Sequence, residues 1–187
     1  MEKVSDWMVR VSSGWVVLLG LAVFLLFSAL VLPGQAARAE DYSGEIGSPD
    51  TSLFYTAGDL YAFAERYGAA GRAEYIRARF TFDRVWPLVY GLFLVTATSW
   101  LFARAGLRGS RWMRLNLLPA AGVAFDYLEN ISAVVVMARY PQPTLLLDHL
   151  AGVFTLVKWV CIAASFAVLL PGAFLAVRRI WMGRKGR

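Results

Sequence analysis

Residues 115–137 read LNLLPAAGVAFDYLENISAVVVM, an apolar run interrupted at its middle by Asp126, Glu129 and Asn130. A hydrocarbon core of ~30 Å is crossed by roughly 20 helical residues, so the run is long enough to span a bilayer. An ionised group at bilayer depth costs roughly 2.5–3.5 kcal/mol on insertion scales, so these side chains are expected to face protein and to pair there. A polar group that costly identifies both the environment of the helix and its inward face.

Three further runs have spanning length: residues 15–32, 85–102 and 150–177. With 58% hydrophobic and 17% charged residues among 187, the chain has too little charge for an ordinary soluble surface. The reading is an all-α integral membrane protein, a single membrane domain over residues 1–187. Its four-transmembrane-helix bundle carries an extracytoplasmic helical loop, residues 33–84, between spans one and two.

The net charge of +6 is unevenly placed. Arg104, Arg108, Arg111 and Arg114 crowd the loop between spans two and three, and Arg178, Arg179, Arg184, Lys185 and Arg187 follow the last span. The positive-inside rule assigns that loop and both termini to the cytoplasm, at the plasma (inner) membrane of a bacterial cell. Such a basic tail is a topology signal beside anionic lipid, and no nucleic-acid partner is expected. Ala37-Arg38-Ala39 resembles a signal-peptidase site. The 18 uncharged positions from Trp15 to Leu32 exceed the ~7–15 of a signal h-region, so a retained span is expected.

The outer loop divides in two. Residues 33–49, with Pro33, Gly34, Gly44 and Gly47, read as irregular. Thr56-Ala57-Gly58-Asp59 is a capping-box start, and Leu60, Phe63, Ala64 and Tyr67 follow at helical spacing. Residues 68–71 break that helix, and a second one from about Arg72 is expected to run unbroken into the span beginning at Val85. The aromatic stripe of Phe54, Tyr55, Tyr61, Phe63, Tyr67, Tyr75, Phe80 and Phe82 implies helices that lie on the membrane surface, with their aromatic faces against the membrane or against the mouth of the bundle, which they would cap. Trp15, Trp86, Trp100, Trp112, Trp181 and Tyr140 sit near span ends as an aromatic belt.

Residues three and four apart share a helical face, which groups Gly122, Asp126, Glu129, Asn130 and Ala133. Gly122 and Ala133 are small enough for a neighbouring helix to approach closely. In the fourth span Thr155, Lys158, Cys161 or Ile162, and Ser165 form a second stripe. Counting ~1.5 Å per residue from the span ends puts Asp126 and Lys158 near the midplane. The short connection through Pro141 and Pro143 makes the two helices antiparallel neighbours, so an ion pair from Lys158 to Asp126 or Glu129 is expected. One acid is then left over, to hold a proton or to meet a further cation, for which Arg84 and Arg139 are the candidates. Asp83 and Tyr90, seven residues apart, are the remaining binding candidates at an outward-facing mouth, the alternative for Asp83 and Arg84 being simple interfacial pairing at the end of the second span. Thr96 and Ser99 are expected to hydrogen-bond within or between helices.

Several chemistries are excluded. The lone His149, beside Asp148, cannot supply a bis-His haem or a His-rich iron site, and lone Cys161 cannot form an intrachain disulfide. There is no C-x-x-C, P-loop, G-x-G-x-x-G or G-x-S-x-G. No metal or cofactor is expected, and the residues assign no catalytic role.

The layout resembles the sigma-2 receptor and emopamil-binding (EXPERA) fold in its four spans, its aromatic helical segment before the second span and its buried acids. The resemblance is one of layout over most of the chain. It implies a pocket for a lipophilic amine or sterol-like molecule with a carboxylate as counter-ion. Three functions stay open. The cluster of Asp126, Glu129, Asn130 and Lys158 binds a lipophilic small molecule or lipid, or it is structural in a subunit or assembly factor of a membrane complex, or it serves proton- or ion-coupled transport in a homo-oligomer. A cavity reaching Asp126 and Glu129 favours the first, and a closed, fully paired network the second.

Overall fold

A computed structural model describes residues 2–44 and 47–185. Seven helices carry the described chain: α1 (Glu2–Val11), α2 (Gly14–Leu30), α3 (Leu32–Ser43), α4 (Ala57–Arg66), α5 (Gly68–Arg104), α6 (Leu118–Arg139) and α7 (Leu147–Lys185). No strand occurs among the described residues. Four helical stretches are long and apolar enough to cross a membrane: Gly14–Ser43, Gly68–Arg104, Arg111–Arg139 and Leu147–Met182. Each contains one of the four expected spans.

The local signals explain most helix ends. Thr56 caps α4 in a reciprocal box: its hydroxyl accepts from the Asp59 amide at 3.2 Å, and its own amide donates to the Asp59 carboxylate at 2.8 Å. Tyr67 ends α4, and Gly68, at φ 61°, turns the chain into α5. α5 then runs unbroken into the second span, four residues earlier than Arg72. The third span starts at Leu118, after a 3-10 turn over Arg111–Leu117, because Pro119 suits a first helical turn.

One expectation needs correction. The stretch after Pro33 is not irregular: α3 occupies Leu32–Ser43. Pro33 sits in the first turn, where its missing N–H has no partner to lose, and Gln-Ala-Ala-Arg-Ala-Glu is a strong helix former. Hydrogen bonds from Val31 to Phe27 (2.9 Å) and from Gln35 to Val31 (3.2 Å) carry the helical pattern across the α2–α3 junction. Ala37-Arg38-Ala39 therefore lies within a helix, while residues 45 and 46 of the same loop lie outside the described residues. The aromatic stripe divides between the two expected placements, packed against other helices and facing outward. Tyr55, Tyr67 and Tyr75 are buried, whereas Phe54 and Phe80 are exposed. Of the basic tail, Arg187 lies outside the described residues.

The chain forms two compact units. The first comprises Met1–Leu25, Val89–Gly122 and Val160–Arg187. At its centre Asn116, fully buried, accepts from the Ser5 hydroxyl (2.8 Å) and donates to the Ser5 carbonyl (3.2 Å) and the Ser99 hydroxyl (3.0 Å). These bonds dock α1 onto the 3-10 turn, with Val9, Phe102 and Met113 buried beside them. A Cβ on Gly122 would sit 3.3–3.4 Å from Ile162 and Cys161, so its smallness does allow the close approach inferred from the sequence. Thr96 bonds back to the Leu92 carbonyl at 2.7 Å.

The second unit comprises Leu26–Leu88 and Val123–Trp159. Its core gathers Tyr55, Leu60, Ala64, Tyr67 and Tyr75 with Ala133, Val136, Met137 and Ala151. Phe27 stacks on Phe82 (5.7 Å) and Trp86 (5.6 Å), fixing the end of α2 against α5.

Candidate functional site

The site lies in the second unit and is built by α6 and α7. One turn of α6 presents Asp126, Glu129 and Asn130 on the same face, and α7 brings in Lys158. The Lys158 ammonium bonds the Glu129 carboxylate and stands 3.9 Å from Asp126 Oδ1. Asn130 Nδ2 donates to Asp126 Oδ1 at 3.0 Å. Glu129 is wholly buried, and Asp126, Asn130 and Lys158 expose 7% or less. The four residues grouped by sequence spacing therefore meet. The Lys158 pairing follows from helix period and the short α6–α7 connection alone.

A fifth member comes from the segment before α4. Tyr55 donates its hydroxyl to Glu129 Oε1 at 3.2 Å. Burial, reinforced by the negative charge of Glu129, raises the pKa of this phenol, so it stays a donor. Gly152 makes this approach feasible: a Cβ there would fall on the Tyr55 carbonyl and meet the Phe54 ring. The sequence shows Tyr55 as part of an aromatic stripe but gives no sign that its hydroxyl reaches a carboxylate 74 residues away.

The remaining candidates separate from this group. Asp83 pairs with Arg79 one turn earlier on α5, both nearly buried. Tyr90 is buried and belongs to the other unit. The expected extra cations do not fold in. The Arg84 and Arg139 side chains are exposed, and Arg84 contributes its carbonyl, which accepts from the Tyr127 hydroxyl at 2.8 Å. The buried guanidinium is Arg79, which lies over the Tyr75 ring at 4.2 Å. Its i, i+4 spacing from Asp83 was the available signal.

Beside the core, the Tyr75 hydroxyl is fully buried with no hydrogen-bond partner among the described residues. Asp148 is buried as well, held by the Tyr61 hydroxyl (3.1 Å) and the exposed His149 ring (2.7 Å). No group of three or more His, Cys, Asp or Glu side chains suited to a metal occurs among the described residues. A cavity of about 780 Å³ opens in the same unit, lined by α3 and the start of α5, not by Asp126 or Glu129. The chain matches no protein-family model, no curated protein and no solved structure, so the likeness to the EXPERA fold rests on layout alone.

Proposed function

We propose that the chain is a multi-pass protein of the plasma (inner) membrane, with both termini cytoplasmic and residues 33–84 outside, which binds a lipophilic small molecule or lipid at the buried acidic cluster. The membrane reading draws on large apolar side chains left uncovered along the spans, among them Trp15 (82% exposed), Leu30 (75%) and Leu170 (76%). A bilayer is the solvent that suits them.

The binding reading rests on one observation. Within the cluster itself Asp126 and Glu129 are buried against Lys158, two carboxylates against one ammonium. The formal deficit of one positive charge suits a cationic lipophile, whose ammonium would complete the cluster while its tail lies among apolar side chains.

The test is saturable binding of dansyl-dodecylamine to the protein in nanodiscs, with dansyl-dodecanol as the uncharged control. The amine should bind more tightly, and Asp126→Asn should abolish the preference without lowering the melting temperature by more than a few degrees. Equal binding of both probes to the natural protein and to Asp126→Asn would sink the proposal.

A second reading draws on the closure of Glu129, which accepts from both Lys158 and Tyr55 with no exposed surface, and on the lining of the cavity of about 780 Å³, which includes neither Asp126 nor Glu129. Under it the cluster braces helices in a non-catalytic subunit of a membrane complex. Absence of saturable amine binding by the natural protein, together with a loss of stability in Lys158→Met, would favour this reading.

A further inference from the structure

The cavity of about 780 Å³ has a charge order that the buried cluster does not explain. Two antiparallel helical segments line it: α3, which leaves the first span, and the early turns of α5, which lead into the second. On α3, Arg38 comes before Asp41 moving away from the apolar segment that ends at Leu32. On α5, moving away from Val85, Arg77 comes before Glu74. At ~1.5 Å per residue the two guanidinium-bearing positions lie about 9 and 12 Å beyond the apolar segments, and the two acids about 14 and 17 Å. Both walls thus carry a cation nearer the hydrocarbon and an anion about 4.5 Å farther out.

That order mirrors a zwitterionic phospholipid headgroup, in which the phosphate lies nearer the acyl chains and an ethylene link separates it from an outer ammonium. A purely anionic ligand would face Asp41 and Glu74, and a purely cationic one would face both arginines. Tyr42 and Tyr67, edge-to-face at 5.6 Å, also line the cavity, and tyrosine rings are among the groups that bind ammonium ions. Arg38, Asp41, Glu74 and Arg77 are all exposed. The Glu74–Arg77 contact, at 3.8 Å with both side chains more than half exposed, is a weak surface pair that a ligand can replace.

We propose that this cavity receives the headgroup of a zwitterionic phospholipid, with its phosphate against Arg38 and Arg77 and its ammonium against Asp41, Glu74 and the two tyrosine rings. The proposal rests on the four-span topology proposed above and is independent of the cluster at Glu129.

The test is native mass spectrometry of the full chain in detergent, offered equimolar dioleoyl-phosphatidylethanolamine, dioleoyl-phosphatidylglycerol and dioleoyl-trimethylammonium-propane. The natural protein should retain the zwitterion several-fold over the other two. Arg38→Gln with Arg77→Gln should lose it, and Asp41→Asn with Glu74→Gln should shift retention toward the glycerol lipid. An unchanged lipid ratio in both double variants, or preferred retention of the glycerol lipid by the natural protein, would overturn the assignment. Displacement by soluble glycerophosphoethanolamine at concentrations comparable to the lipid would also overturn it, since the occupant would then be a water-soluble zwitterion. Failure of the topology is separable: Arg38→Cys would then resist an impermeant maleimide in intact cells.

Discussion

Replacing Lys158 by Met removes the one ammonium that bonds Glu129 and stands 3.9 Å from Asp126. What remains is two buried carboxylates, with Tyr55 donating to one and Asn130 to the other. Breaking one side of a buried pair costs about 3–5 kcal/mol. At about 2–4 °C per kcal/mol for a chain of this size, the melting point should fall by roughly 6–20 °C. Adding Asp126→Leu and Glu129→Leu removes the stranded charges, and replacing a whole buried network by apolar groups can be close to neutral. Two smaller penalties persist in that triple variant, where the Tyr55 hydroxyl and the Asn130 amide each lose a carboxylate acceptor, at about 1 kcal/mol or more apiece. The order of stability should therefore be natural protein, then triple variant, then Lys158→Met, with Tyr55→Phe recovering part of the triple variant's loss. Intrinsic fluorescence melts in one detergent measure all four. Equal melting of Lys158→Met and the natural protein would refute the pairing, and a triple variant less stable than Lys158→Met would refute the electrostatic argument.

Gly152→Ala should destabilise by about 1–3 kcal/mol, because its Cβ forces the Tyr55 carbonyl away from α7; the same melts in the Tyr55→Phe background should show a smaller loss. Thr56→Ala should cost about 1 kcal/mol through the α4 cap, read as faster hydrogen exchange over Ala57–Arg66. Hydrogen bonds from the Thr56 amide, then from its hydroxyl, hold Asp59 below its ordinary value of 3.8. The folded pKa is the lower one, so the cap's contribution is present above pH 3.8 and is lost as pH falls through the folded value, a dependence that Asp59→Asn should abolish. A cysteine at Arg108 should resist an impermeant maleimide in intact cells while one at Glu65 reacts, and the reverse pattern would invert the topology.

What could be read in advance was what local spacing and chain reversal encode. Asp126, Glu129 and Asn130 share a face by helical period, and a short connection brings Lys158 alongside. The Thr56–Asp59 box is a four-residue signature and appears as such. Tyr55 and Asn116 were not legible as partners, because their contacts span 74 and 111 residues and depend on how helices dock. Burial of Arg79 is not legible in the sequence, because an arginine in an outer loop is exposed by default and Asp83, its i, i+4 acid, reads equally as part of a mouth. The α3 helix is hidden in the sequence because Pro33 and Gly34 carry breaker signals, although both fall in a first turn.

The docking of α1 through Ser5 and Asn116 has a consequence in time. Those residues are 111 positions apart, and a ribosome adding about 5–20 residues per second needs roughly 6–22 s to deliver the second after the first. During that interval α1 has been made but its receptor has not, and Met8 and Val9, buried in the finished fold, have no intrachain seat there. A nascent chain halted before Asn116 should therefore show α1 open to protease, and one released beyond α6 should show it closed.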